Sequence, residues 1–170
     1  MITEKLIISD TNIWLDLISV DLLEAFFSLP CSIVTTSLVI YEIVQNWQKE
    51  KLQTFVNSQQ LEVIIFTPEE LKNVNAITDN IKISVADRSV WYYAKNTQGR
   101  LLTGDAELRQ AAENDDVKVS GILYVFDNLV EYGILQKAAA AKLLEKLTGI
   151  NLRLPRTECQ KRITAWGNCS

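Results

Sequence analysis

The chain has 170 residues, 48% of them hydrophobic and 22% charged, with six glycines and three prolines. That suits one domain burying roughly 70% of the surface its unfolded chain exposes, and it excludes a linker-rich or disordered polypeptide. The net charge is −4 and there is no histidine, which excludes Ser-His-Asp and Cys-His catalysis as usually built and any His-ligated zinc.

Three cysteines, Cys31, Cys159 and Cys169, cannot complete an all-cysteine tetrahedral zinc site. Acid–base or metal chemistry must therefore rest on carboxylates, Lys, Tyr or Cys, and a carboxylate-only site favours Mg2+ or Mn2+. The odd cysteine count and wide spacing fit a reducing compartment. The opening residues lack a signal-peptide layout, and no apolar run approaches the ~20 residues that span a bilayer. A soluble cytoplasmic protein with no membrane partner is the expectation. The charge is uneven: Lys137 to Ser170 carries seven basic and two acidic residues, and the remainder ten and nineteen. Any nucleic-acid surface must then be local, and the basic end reads first as a solvated helix face.

In chain order, Lys5–Ser9 reads as a buried strand, and Asp10-Thr-Asn12 starts a helix over Ile13–Ile18. Leu22–Phe27 is a second amphipathic piece ending near Pro30, and Ser32–Thr36 a second strand. Ser37 is expected to cap a helix running from Leu38 to Phe55. Glu62–Phe66 is a third strand, Pro68 opens a helix toward Thr78, and Ser84–Asp87 opens one through Lys95. Arg100–Thr103 is a fourth strand, followed by a turn at Gly104 and a helix over Asp105–Glu113. Val117–Val119 is a short fifth strand, and from Ile122 the chain reads as helix interrupted near Gly133, Gly149 and Pro155. Near-continuously apolar strands alternating with helices predict a parallel sheet covered on both faces.

In an open parallel sheet the functional crevice lies beyond the carboxyl ends of the strands. Asp10 directly follows strand one and Asp105 lies two residues past strand four, while Glu42 and Asp87 sit in apolar helical contexts. Each has a plain structural explanation: Asp10 and Asp105 as helix caps, Asp87 as the acid of a capping box opened by Ser84, Glu42 as a solvated glutamate. Together they could converge on one crevice, where mutual repulsion calls for a divalent cation. The aromatics Trp14, Trp47 and Trp91–Tyr93 read as packing, whereas Trp166 stands outside the core pattern and reads as a partner or dimer contact.

Ile7-Ile-Ser-Asp-Thr-Asn12 resembles the opening of the PIN-domain nucleases, and Glu42 resembles that family's motif glutamate. Ser84-Val-Ala-Asp87-Arg-Ser and Leu101-Leu-Thr-Gly-Asp105-Ala-Glu-Leu-Arg109 resemble its third and fourth acidic motifs, and Val117–Leu123 the segment closing the sheet. The resemblance runs from about Leu6 to Pro155, and the helices after Glu131–Leu135 look like a bacterial branch with extra C-terminal helices. It implies an α/β/α sandwich around a mostly parallel sheet of about five strands, with a PIN-like domain over 1–155. A helical tail over 156–170 would pack on that domain or on a partner.

It further implies a Mg2+- or Mn2+-dependent ribonuclease, similar to the VapC-like toxins of toxin–antitoxin pairs, with RNA as substrate, an antitoxin protein as partner and a homodimer as the working form. Asp10, Glu42, Asp87 and Asp105 would be the catalytic and metal-holding acids, and Asn12 and Thr103 polar groups orienting them. Arg88, Lys95 and Arg109 are candidates to hold the phosphate, with surface ion pairing as their alternative role. Many members place another acid just after the fourth aspartate; here Ala106 follows, then Glu107. Two competing site patterns fit less well. A haloacid-dehalogenase-like phosphatase wants a second Asp where Asn12 stands, and a response-regulator receiver wants paired acids and a late strand-end Lys. A non-catalytic member of the same fold, binding RNA or protein, is the remaining alternative.

Overall fold

A computed structural model describes residues 6–168. Strands β1 (Leu6–Ser9), β2 (Ser32–Thr36), β3 (Leu61–Ile64), β4 (Arg100–Leu102) and β5 (Val119–Ser120) form one all-parallel sheet in the order β3-β2-β1-β4-β5. Between and after them come α1 (Thr11–Ser19), α2 (Leu23–Phe27), α3 (Ser37–Glu42), α4 (Asn46–Asn57), α5 (Pro68–Ala76), α6 (Val85–Thr97), α7 (Ala106–Asn114), α8 (Ile122–Glu131), α9 (Lys137–Ile150) and α10 (Arg156–Gly167). In β2 the consecutive residues Ile33, Val34, Thr35 and Thr36 are all buried, so both faces of the sheet are covered. The architecture is the expected three-layer α/β/α sandwich with C-terminal helices. From β1 the chain steps outward to β2 and β3, then crosses to β4 on the other side of β1. The boundary between β1 and β4 is therefore the topological switch point, where such sheets place their sites.

The core is dominated by aliphatic residues, with a run of rings at one end. Trp14 packs edge-on against Phe26 and in parallel with Phe27, and Phe27 stacks on Phe55 at 4.2 Å. The Trp14 indole donates to the Thr35 hydroxyl (3.2 Å), which donates to the Ser9 carbonyl (3.0 Å). This chain of bonds ties α1 and β2 to the last residue of β1, immediately before Asp10.

Several elements depart from expectation, each for a local reason. The helix expected from Leu38 to Phe55 is two helices: Ile43 turns extended and buries its side chain, Val44 faces outward, and α4 starts at Asn46. Its cap is Thr36 rather than Ser37, because the Thr36 hydroxyl accepts the Val39 N–H. Strand three stops at Ile64, which pairs with Thr36; beyond that point β2 has turned into α3 and offers no ladder partner. Ile65 is consequently exposed, and Thr67 starts α5 with a reciprocal capping box to Glu70. Strand five pairs only at Val119 and Ser120, since the Val117 N–H is spent on the Ala112 carbonyl that closes α7. Gly149 lies inside α9, which ends instead at Asn151, whereas Gly133 does end a helix, at a left-handed φ of 69°.

Trp47 is half-exposed beneath the Lys51 ammonium, unlike the buried Trp14 and Trp91. Trp166 is not an open contact: it is buried and lies parallel to Phe126 at 6.5 Å, and Arg162 grips Asp127 through two 2.7 Å bonds. Cys31 and Cys159 are free thiols, and Cys169 lies outside the described residues. No helix of the described residues is long and apolar enough to cross a membrane. Replacing Trp166 by Ala removes the stack that holds α10. It is expected to cost about 2–3 kcal/mol and lower the melting temperature by roughly 5–10 °C, read by thermal denaturation.

Candidate active site

Asp10 is fully buried at the carboxyl end of β1. Its N–H continues the ladder by donating to the Leu102 carbonyl (3.2 Å). One carboxylate oxygen takes the Ile13 N–H at 3.0 Å, so Asp10 is the N-cap of α1. The other takes the hydroxyl proton of Thr103, and that hydroxyl accepts the Asp105 N–H at 2.9 Å. A single side chain thus joins the exits of β1 and β4. Burial pushes Asp10 up to about 7; the bonds from Thr103 and Ile13 oppose the rise, and the charges of Asp87 and Asp105 add to it.

The other acids are placed by similarly local chemistry. Asp105 caps α7, taking the Leu108 N–H at 2.8 Å. Asp87 stands in the first turn of α6, whose cap Ser84 accepts the Asp87 N–H at 3.1 Å. Burial raises Asp87 to about 6; the nearby Glu42 charge adds most to this, hydrogen bonds with Ser84 oppose it, and Asp105 adds further. Glu42 is exposed at the end of α3 and receives the hydroxyl proton of Thr11. Helix α6 is pinned to the exit of β2 by the buried Thr36–Ser89 hydroxyl pair (2.7 Å), two residues from Asp87.

The four acids are therefore electrostatically linked, Asp10 with Asp87 and Asp105, and Asp87 with Glu42 and Asp105. Among the described residues no three acidic or thiol side chains are grouped closely enough to hold a metal ion as they stand. The donor set nonetheless suits a hard divalent ion in kind and charge: carboxylate oxygens only, two of them held above their normal pKa partly by their neighbours' charge.

The structure separates the remaining sequence candidates. Thr103 donates its hydroxyl proton to Asp10. Asn12, half-buried on α1, bonds to none of the four acids and lines an adjoining cavity of about 500 Å3 with Gly104. Arg88 is spent on the chain itself, donating to the carbonyls of Ile83, Asn75 and Asn80. Lys95 is in the last turn of α6, paired with Asp115 at 2.7 Å beside the entry to β4, at the opposite end of the sheet from the acids. Glu107, next after Ala106, turns to Lys82 and Asn80. Arg109 does lie beside the site. It bonds to Glu113 (3.3 Å), not to Asp105, and to the Thr103 carbonyl (3.4 Å). A side chain at Gly121 would crowd it, since a Cβ there would stand 3.3 Å from its guanidinium. Sequence reading missed Thr11, Thr36 and Ser89, although a threonine next to a motif acid and two threonines ending a strand are the pattern of residues that cap and clasp.

A carboxyl group raised on folding binds more protons in the folded than in the unfolded chain between the two pKa values. Its contribution therefore falls as pH rises, here from about 4 to about 7. In EDTA the melting temperature should drop across that window. Asp87→Asn should raise it at pH 8 by about 3–6 °C, the shift expected of roughly 1–2 kcal/mol after solvent screening, and should change it little near pH 4. A lower melting temperature at pH 8 would make Asp87 a plain helix-start acid.

The comparison with curated proteins finds no match for the chain. A family model described as PIN domain matches residues 6–168, nearly the whole chain and all four acids. The parallel sheet, the switch point between β1 and β4 and the linked carboxylates at its mouth fall within that match, and the chain belongs to the PIN-domain family.

Proposed function

We propose that the protein is an endoribonuclease that hydrolyses RNA phosphodiester bonds, with Mg2+ or Mn2+ held by Asp10, Asp87 and Asp105 and the set completed by Glu42. The observation that carries this reading is the linkage of four carboxylates at the switch point of a PIN-family sheet. A buried Asp10 beside two like charges is destabilising unless a cation neutralises it. When bound, such an ion offsets charge building on the phosphodiester and makes a water acidic enough to attack at neutral pH.

The chain's own residues supply position. Thr103 and the Ile13 N–H stop Asp10 from rotating, and each carboxylate oxygen keeps a lone pair free for a further bond. Asp105 is held through one oxygen by Leu108, and the Thr103 hydroxyl fixes its backbone. Thr11 keeps the exposed Glu42 turned toward α1, and the Thr36–Ser89 pair sets the height of Asp87 above the sheet. No histidine base is needed in this scheme.

A toxin-like role in a cytoplasm, with an antitoxin protein as inhibitor and a homodimer as the working form, extends the reading. It draws support from apolar side chains beside the acids: Tyr41 and Val44 flank Glu42, Val85 precedes Asp87 by two residues, and all three are exposed. The test is cleavage of RNA by purified protein in Mg2+ or Mn2+. Cleavage should vanish in EDTA and fall at least 100-fold in Asp105→Asn, in line with loss of an electrostatic catalytic group. Cleavage surviving Asp105→Asn would place the site elsewhere. No cleavage together with no Mn2+-induced rise in melting temperature would favour a non-catalytic RNA- or protein-binding scaffold.

A further inference from the structure

A second buried carboxylate stands one helical turn and a half along α1 from the site. Asp16 is only 7% exposed, and both its oxygens accept from the Asn151 amide at 3.0 Å. The carbonyl oxygen of the same amide accepts the Arg153 N–H at 3.0 Å. Asn151 therefore works in two directions, anchoring the α9–α10 linker on α1 and setting the backbone of Arg153. Asp16 is raised to about 6 by burial, with the Asn151 bonds opposing the rise. A buried acid with an amide for its partner is an odd choice for stability alone.

What the clasp holds up is a cleft. A cavity of about 280 Å3 runs beside it, lined by Asp16, Thr103, Gly104, Arg109, Asn151 and Arg153 and, on its other walls, by apolar side chains of α1, α8 and the α9–α10 linker. The cavity that Asn12 lines lies along the same clasp and shares Asp16, Gly104, Asn151 and Arg153. The first cleft lies next to the acids: Thr103 lines it while bonding Asp10, and Gly104 precedes Asp105. Two guanidinium groups face it. Arg109 is partly engaged by Glu113, whereas Arg153 is exposed and its side chain makes no hydrogen bond or ion pair among the described residues. Arginine's planar fork suits phosphate oxygens, and four acids by themselves repel a polyanion, so a cation beside them is needed to hold one.

We propose that this cleft seats a backbone phosphate of the RNA strand flanking the scissile one, with Arg153 and Arg109 as its cations and Asp16–Asn151 as the clasp that positions Arg153. The proposal rests on the nuclease reading above and names where its substrate lies. It also separates roles along the chain: the acids act at the scissile bond, and the linker between α9 and α10 reads the strand beside it.

The test is fluorescence anisotropy of a labelled short single-stranded RNA with the full chain carrying Asp105→Asn. Arg153→Ala should weaken binding about tenfold and flatten the dependence of log affinity on log salt by about 0.7, the loss of one single-strand phosphate contact. Asn151→Ala should weaken it comparably, yet add nothing once Arg153 is already Ala; a merely structural role would weaken binding in both backgrounds. Lys146→Ala, exposed on α9 and lining neither cavity, should change neither quantity. Unchanged affinity and salt slope in Arg153→Ala would overturn the proposal, as would an equal loss in Lys146→Ala or the absence of any RNA binding. If the wild-type chain cleaves RNA but Arg153→Ala binds normally, only the cleft assignment fails. Arg153-dependent binding without cleavage by the wild-type chain leaves the cleft standing and removes the nuclease reading.

Discussion

The placement of Asp10 governs much of the rest. A carboxylate with no solvent exposure, next to two others, is an unfavourable thing to fold around. It is tolerated because its surroundings are built from donors: the first N–H groups of α1, with their partial positive charge, and the hydroxyl of Thr103. Both are available only at one place in the topology. The residue after a central strand meets the start of its own helix on one side and the exit of the neighbouring strand on the other. Moving β4 away from β1 would leave Asp10 without the stronger of its two opposing bonds.

From that point the other acids are placed by backbone chemistry rather than by side-chain packing. Asp105 caps its helix, and the cap Ser84 orders the turn that carries Asp87. Caps act over three residues, so they transmit little error from distant parts of the chain. Glu42 and α6 are held over longer range: Thr11 holds Glu42, and α6, which arrives after the loop that follows α5, has its own restraint. The Thr36–Ser89 pair supplies it on the sheet side, and Arg88 supplies it on the loop side by gathering three carbonyls. Arg88 thus supports the turn that carries Asp87, with its guanidinium spent on the chain itself.

This explains what could be read in the sequence and what could not. The first four strands were legible as largely apolar runs, since a doubly covered parallel sheet leaves no alternation to confuse with a helix. The positions of Asp10, Asp87 and Asp105 were legible because strand ends and helix starts are marked by short-range chemistry, whereas Glu42, the last residue of α3, stood out only by its apolar neighbours and the family resemblance. Strand limits were not: β3 ends where β2 stops offering partners, and β5 begins where α7 releases Val117, both facts about neighbours. The break at Ile43 falls in a β-branched and aromatic stretch, Val39 to Val44, whose weak helix propensity is spread evenly and does not locate it. The cations were least legible of all. Arg88, Lys95 and Arg109 are alike as letters, and the structure sends one to a loop, one to the far end of the sheet and one to the site's flank. The Arg153 backbone is tied to Asn151, whose own partner, Asp16, stands 135 residues earlier in the sequence.

Helix cap and metal ligand are commonly treated as rival explanations for an aspartate, but the geometry makes them compatible. A carboxylate offers four lone-pair positions, and a cap uses one. Asp105 commits one oxygen to Leu108, and its second oxygen has no hydrogen bond among the described residues. Asp10 commits one position on each oxygen, leaving one on each. The cap fixes the side chain's direction at the stage of local folding, before the acids are brought together. Freezing those torsions beforehand lowers the ordering cost when a cation or substrate arrives. Asparagine keeps the capping oxygen and removes the charge, whereas alanine removes both and confounds stability with function. An acid that caps and ligates is therefore tested by its amide. The same logic extends to Asp16: its amide would keep the oxygen that Asn151 donates to while removing the buried charge.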